Sequence, residues 1–285
     1  MNPERETDKE WSRYYRDERL GGVDALHARF VRHRYPRHAH EYAVVALVER
    51  GAASYWYRGA QHTAPAETVF VINAGEPHTG DPVLADGYVY RVLYPTSDFL
   101  SRFARELGVG SGTVHFKGAV IQDPRLSAAL SAFHERLAAH APAAQCESLL
   151  LSALARLVTR YGDPPGHPRG VGSERVAVTT AREFIEEHFG EDVTITKLAA
   201  LSALSPYYFA RVFEREVGLP PHAYLESVRI RKVRELIDRG ATLASAAYSA
   251  GFADQSHLTR RFKRIVGITP GQYSRQLDRR PMQDP

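Results

Sequence analysis

"GFADQSHLTRRFKRIVGITPGQY", Gly251–Tyr273, mixes two patterns in one short run. Leu258, Phe262, Ile265 and Val266 recur at helical spacing and predict a buried stripe. Arg260, Arg261, Lys263, Arg264 and, just beyond, Arg275 crowd positive charge around it. Asp254 stands where an N-cap belongs, Gly267 just past a C-terminus, and Thr269-Pro270 opens a further helix. The pattern predicts a helix over Gln255–Val266 whose outer surface carries Gln255, Ser256, Thr259, Arg260 and Lys263. A buried stripe sets such a helix's angle and leaves amide, hydroxyl and guanidinium groups for base edges and phosphates.

The same plan occurs once before. Residues 194–225 overlay residues 242–273, with Phe209 against Leu258, Phe213 against Phe262, Gly218 against Gly267, Pro221 against Pro270 and Tyr224 against Tyr273. Each copy reads as a short small-residue helix, a tight turn and a longer helix with Arg near its start. That is the helix-turn-helix plan. In the first copy the outer face holds Ser205, Tyr207, Ala210, Arg211 and Arg215. The second copy is the more basic and is expected to make more phosphate contacts. A charged helix surface is commonly just solvated; the duplication is what favours a binding role. Capping chemistry predicts seven helices here, over Arg175–His188, Thr194–Ser202, Pro206–Val217, Pro221–Arg239, Thr242–Ala250, Gln255–Val266 and Pro270–Leu277. The fourth, about 28 Å long at 1.5 Å per residue, suits a spacer between two readers in major grooves roughly 34 Å apart.

Gly251-Phe252, Gln255-Ser256-His257-Leu258, Phe262-Lys263, Gly267, Thr269-Pro270 and Tyr273 together resemble the DNA-binding domain of the AraC/XylS family of bacterial transcriptional regulators. The resemblance covers the last hundred residues or so. It implies two helix-turn-helix units, binding to double-stranded promoter DNA, commonly as a dimer, and RNA polymerase as a further partner. Positions matching the family's base contacts are Tyr207, Ala210 and Arg211 in the first unit and Gln255, Ser256, Thr259 and Arg260 in the second. Ala210 is short for that role.

Upstream, the Pro/Gly-rich residues 162–174 read as a linker. Before them the texture is β. "EYAVVALVERG", "ASYWYRG", "ETVFVINAGEP" and "GYVYRVLYP" are short β-branched and aromatic runs closed by Gly or Pro, predicting a small barrel over residues 21–120. Residues 121–161 turn helical, as a hairpin opened by Asp123-Pro124. Its second arm carries Leu149, Leu150, Leu154 and Leu157 on one face, expected either to pack on the barrel or to pair two copies in a homodimer. Residues 1–20 are rich in charge and read as a solvated tail.

His38 and His40 stand two apart on one strand face, and His78 follows a later turn. The region resembles the small cupin barrel that members of this regulator family use to bind effectors. Enzymatic cupins add a Glu shortly after the His pair; here Ala43, Val44 and Val45 fill that place, and Glu41 is expected to face away. The favoured reading is a pocket for a small polar effector, contacted by His38, His40, Tyr42 and His78 and further by Tyr55, Tyr57 and Tyr90. A structural or sensory metal on His38, His40 and His78 ranks second, and a catalytic one third.

The totals agree. At 285 residues the chain can hold two cores. One cysteine, Cys146, excludes a disulfide framework and fits a reducing compartment. No apolar run approaches the roughly 20 residues that span a bilayer, so a cytoplasmic protein without a membrane partner is expected. Residues 1–174 carry 20 Lys+Arg against 20 Asp+Glu, whereas residues 175–280 carry 17 against 12, so the surplus of charge sits in the C-terminal part. The fold class read from these features is a multidomain α+β chain: a cupin-like β-barrel with a helical hairpin, then an all-α double helix-turn-helix domain. The function expected is a ligand-responsive DNA-binding regulator, not an enzyme, and no cofactor is called for. The rivals are a metal-dependent cupin enzyme with a helical regulatory module and an architectural DNA-binding protein without an effector.

Overall fold

The computed structural model describes residues 9–16, 23–109, 112–163 and 173–277. They form two compact units, one of residues up to 34 together with 41–163, the other of residues 35–40 together with 173–277. Most of the expected linker, 164–172, lies outside the described residues.

The N-terminal part of the chain runs β1 (Trp11–Tyr15), β2 (Asp24–Phe30), β3 (Tyr35–His38), β4 (Val44–Arg50), β5 (Ala52–Tyr57), β6 (Ala60–Pro65), β7 (Val69–Ile72), β8 (His78–Pro82), β9 (Tyr88–Tyr94), α1 (Ser97–Glu106), β10 (His115–Phe116), β11 (Val120–Ile121), α2 (Pro124–Ala138), α3 (Ala143–Tyr161) and β12 (Gly162–Asp163). One sheet has the order β1-β2-β9-β4-β7-β11, a second β3-β8-β5-β6, and β10 and β12 form a two-stranded pair. The pairs β1–β2, β2–β9, β9–β4, β4–β7, β7–β11, β8–β5 and β5–β6 are antiparallel, as expected of a small β-barrel. Strand β4 is buried on both faces from Val44 to Val48. Alternation explains why: Val45 and Leu47 face a helical layer built from Leu100, Phe103, Leu126, Leu130, Phe133, Leu150, Leu154 and Leu157, so Ala46 and Val48 point the opposite way.

Two expectations change here. Within residues 1–20, expected to be a solvated tail, Trp11–Tyr15 is a strand at the sheet edge, paired with Ala25–Arg29. Its inward Tyr14 is 5% exposed and donates its hydroxyl to Asp24, and the carboxylate of Glu10 accepts the backbone N–H groups of Val31, Arg32 and His33. Charge around the edge strand hides it, although its partner is the next strand in the chain. Within residues 21–120, α1 breaks the all-β texture; Thr96 caps it and Leu100, Phe103 and Ala104 are its buried face.

The hairpin forms where capping chemistry put it. Asp123 accepts from the N–H groups of Arg125 and Leu126, and the same carboxylate receives Arg156 Nε at 2.7 Å and the Tyr161 hydroxyl at 2.8 Å. One buried acid therefore caps α2 and ties α3 to it. The Arg156 guanidinium holds this carboxyl well below the usual range.

His134 of α2 is buried, with Nδ1 2.9 Å from the Leu130 carbonyl and Nε2 3.2 Å from the Val92 carbonyl. Burial pushes its pKa down to about 4. The folded unit therefore resists protonation that the unfolded chain accepts near its ordinary value of about 6.5. The stability this group contributes is complete above that pH and is lost as pH falls from about 6.5 towards 4. At lower pH Glu49 adds a second loss: burial alone would raise its pKa, but hydrogen bonds from His27 and Arg91 hold it at about 2. We expect the urea midpoint of the N-terminal unit to fall between pH 7 and pH 5, and a His134→Gln variant to flatten that slope. A wild-type midpoint independent of pH in this window would contradict the placement of His134.

The C-terminal unit is helical: α4 (Ser173–His188), α5 (Ile195–Ala200), α6 (Pro206–Val217), α7 (Pro221–Asp238), α8 (Leu243–Ser249), α9 (Gln255–Val266) and α10 (Pro270–Leu277). The expected bounds of α6, α9 and α10 are met to the residue. Ser205 caps α6 through the N–H of Tyr208, Asp254 caps α9 through that of His257, and both helices end on a left-handed glycine, Gly218 at φ 77° and Gly267 at φ 84°. These signals are local in sequence, so they survive folding unchanged. Phe209, Val212 and Phe213 of α6 and Leu258, Phe262 and Val266 of α9 are buried. The pairs α5–α6 and α8–α9 are thus two helix-turn-helix units with the same anchoring.

Candidate functional site

Burying Leu258, Phe262 and Val266 turns the opposite side of α9 to solvent. Gln255, Ser256, Arg260, Lys263 and Arg264 are exposed. Thr259 is half-buried and returns its hydroxyl to the Gln255 carbonyl at 2.8 Å. Neither Arg260 nor Lys263 enters an ion pair among the described residues. Arg261, on the flank, is engaged with Glu226 at 3.4 Å and with His257. The solvated face therefore carries exposed cations, while the flanking arginine braces the fold.

On α6, Tyr207 is 73% exposed and the Arg211 guanidinium lies over its ring at 5.9 Å. That contact holds the pair together at the solvent face, one turn apart. Arg211 and Arg260 occupy equivalent places in the two repeats, and so do Tyr207 and Ser256. Three of the residues expected at this face do other work. The Ser205 hydroxyl caps the helix. Ala210 is half-buried. Arg215 is held by Glu174 at 2.5 Å and Glu216 at 3.5 Å, which depletes the first unit's positive face. Lys263 is matched in the first repeat by Glu214. The more basic second copy read from the sequence is a property of the surface as well. Arg264 is an exposed cation that the sequence reading did not select; its signal is its equivalence to Arg215.

In the N-terminal unit the tyrosines expected to meet an effector are mostly spent on the fold. Tyr55 donates to the Ala119 carbonyl at 2.7 Å. The Tyr57 hydroxyl donates to Glu76 and accepts from the Asn73 N–H at 3.1 Å and side-chain amide at 3.0 Å. Burial pushes both phenols well up. Tyr90 is 4% exposed and packs on Phe30 and Tyr88. Tyr42 is half-buried, edge-on to Tyr94. His38 and His78 are buried and His40 is half-buried. Nδ1 of His38 stands 2.8 Å from the Pro36 carbonyl, and Nδ1 of His78 stands 3.0 Å from that of Glu76. A carbonyl can only accept, so both Nδ1 atoms carry hydrogen and Nε2 is the basic nitrogen, the arrangement seen behind metal-bound imidazoles.

Leu150, Leu154 and Leu157, expected on a pairing face, are 0–1% exposed within their own chain. Of that set only Leu149 is partly accessible. The stripe is core, because the sheet supplies the apolar layer that a second copy would otherwise have offered.

No helix among the described residues is long and apolar enough to cross a membrane. Residues 20–154 match the AraC-like ligand binding domain, and residues 198–276 match a helix-turn-helix domain. The chain is 28% identical over 237 residues to the uncharacterized HTH-type transcriptional regulator YbfI of Bacillus subtilis, covering 83% of this chain and 86% of that one. It is 24% identical over 248 residues to the HTH-type transcriptional activator RhaS of Pectobacterium carotovorum, with the same coverage of 83% and 86%. Among solved structures, apo ToxT from Vibrio cholerae superposes with a TM-score of 0.54 at 12% identity, over 94% of this chain and 97% of that one. That likeness concerns the fold alone. Domain order, relatives and fold agree with one another and give no support to an enzyme. The chain is a transcriptional regulator that joins an AraC-like ligand binding domain to a helix-turn-helix domain.

Proposed function

We propose that this regulator binds a two-part site in double-stranded DNA, with α6 reading one part and α9 the other, under control of a small effector held in the N-terminal barrel. The observation that carries this reading is the repeat-related pair Arg211 and Arg260, each on the solvent face of a helix whose opposite face is buried and whose ends are capped alike. Arg260, with Gln255, Ser256 and Lys263 around it, is the stronger reader. Tyr207 and Arg211 act as a stacked pair in the weaker one. Lys263 and Arg264 serve phosphates. In the barrel, His38, His40, Tyr42 and His78 are the polar groups proposed to meet the effector; the hydroxyls of Tyr55 and Tyr57 are already committed.

The test is selection from a random DNA pool with the full chain, repeated with Arg211→Ala and Arg260→Ala. The wild type should enrich a motif with two separated parts. Each variant should relax a different part, at a cost of roughly 1–3 kcal/mol for the lost bidentate contact. Uniform, salt-sensitive binding with no enriched motif would reject sequence-specific reading by this chain alone.

A further inference from the structure

Reading two parts of one site places a demand on the protein that neither helix-turn-helix unit meets by itself. The two recognition helices must keep a fixed displacement and rotation. B-DNA turns once in 10–10.5 base pairs, so one extra base pair between the parts rotates one of them by roughly 35° about the axis.

Within the C-terminal unit the two helix-turn-helix units meet at two bare stretches of backbone. A Cβ added to Gly190, in the turn before α5, would lie 2.7 Å from the Ser249 carbonyl oxygen at the end of α8. A Cβ added to Gly251, at φ 73° in the turn between α8 and α9, would lie 2.7 Å from the Gly190 carbonyl oxygen. The segments leading into α5 and into α9 are therefore in direct backbone contact, which only glycine permits at this approach.

Arg229 of the connecting helix α7 closes the joint. Its Nε donates to the Phe189 carbonyl at 2.7 Å, and a terminal nitrogen donates to the Glu191 carbonyl at 2.8 Å, so the guanidinium fork straddles Gly190. The same guanidinium lies 2.9 Å from where a Gly251 Cβ would be. It thus touches both sides of the joint. A planar fork in two hydrogen bonds has little freedom to rock. Around it, α7 is fixed to α4 by Arg231 on Glu186 and by the Tyr224 hydroxyl on Glu186 at 3.1 Å, and to α9 by Glu226 on Arg261.

We propose that Arg229, with the Gly190–Gly251 contact it straddles, is a positioning element that locks the angle between the two recognition helices and so sets the spacing of the two-part site this regulator accepts. The proposal rests on the two-reader assignment above. Arg229 acts through backbone and is not assigned a contact with DNA.

The experiment measures binding of the full chain to the selected two-part site and to versions with one base pair added or removed between the parts. Four variants are compared with the wild type: Arg229→Ala, Arg229→Lys, Gly251→Ala and, as a control for general loss of stability, Tyr273→Phe, which removes the hydroxyl bond to Asp238 at 2.9 Å. A wild type with a locked joint should lose about tenfold or more in affinity at either altered spacing, an amount set by misplacing even one base contact. Arg229→Ala and Gly251→Ala should keep the base preferences of each part yet shrink that spacing penalty to about threefold or less. Arg229→Lys keeps the charge and loses the fork, so it should behave like Arg229→Ala, while Tyr273→Phe should keep the wild-type penalty.

Retention of the wild-type spacing penalty by folded Arg229→Ala, or by Arg229→Lys should the alanine variant not fold, would overturn the proposal. So would an equal loss of spacing discrimination in Tyr273→Phe. A wild type indifferent to spacing would also overturn it, whereas one indifferent to deletion of one part would reject the two-reader assignment itself. The wild-type measurements thus separate the two failures.

Discussion

Leu154→Glu is expected to unfold the N-terminal unit. Leu154 is 0% exposed among Leu126, Leu130, Phe133, Leu150 and the sheet residues Val45, Leu47 and Val71. Truncating such a leucine to alanine costs about 2–5 kcal/mol. An ionised carboxylate with no partner adds several more, against a typical domain stability of about 5–15 kcal/mol. Urea unfolding of the wild-type chain should show a transition for each unit. In Leu154→Glu the N-terminal one should disappear while that of the helical unit remains. Leu149→Glu, five residues earlier and partly accessible, should leave both in place, and light scattering on that variant would show whether the outer side of α3 pairs two copies. A Leu154→Glu protein with both transitions intact would refute the core placement of α3.

Phe262→Ala carries the second large effect. Phe262 is 0% exposed, edge-on to Tyr273 with ring centroids 5.6 Å apart, and stands between Leu258 and Val266 on the buried side of α9. Removing the ring should cost about 3–5 kcal/mol, read as a lower urea midpoint for the helical unit with the N-terminal transition unmoved. The functional consequence follows from the geometry. The residues proposed to reach DNA stay in the chain, but the face that aims them is gone. Binding to the part of the site assigned to α9 should therefore weaken more than in Arg260→Ala, which removes one contact and leaves the helix seated. Equal effects of the two substitutions, with no change in midpoint, would mean that the buried stripe does not orient the helix.

Both predictions concern amphipathic helices, and the sequence treated them unequally. For α9 the apolar stripe, the Asp254 cap and Gly267 left one arrangement, and the repeat at α6 repeated it. Helix bounds, the buried face and the solvent face were all legible, because each depends on residues within a few positions of one another. For α3 the stripe was as clear, yet it named no partner. A leucine face buries itself against whatever apolar layer is nearest, and whether that layer is a sheet of the same chain or a second copy depends on contacts far along the chain. The edge strand Trp11–Tyr15 was hidden for a related reason: its charged surroundings say nothing of the ladder with Asp24–Phe30 that buries Tyr14.

The site divides along the same line. Residue type and helical phase placed Arg211, Arg260, Gln255, Ser256 and Lys263 on exposed faces. They could not show that Arg215 is spent on Glu174 and Glu216, or that Tyr55 and Tyr57 have donated their hydroxyls inside the fold. Nor could they single out Arg229, whose partners are the carbonyls of Phe189 and Glu191. Any residue supplies a carbonyl, so such a bond leaves no mark in the sequence. The two-unit plan, the duplicated helix-turn-helix pattern and the faces it presents were legible in the residues themselves, since periodicity and capping are short-range chemistry. Which polar groups are already engaged, what covers each apolar face and how the two helix-turn-helix units are joined emerged only from the fold, since those depend on which distant backbones are brought together.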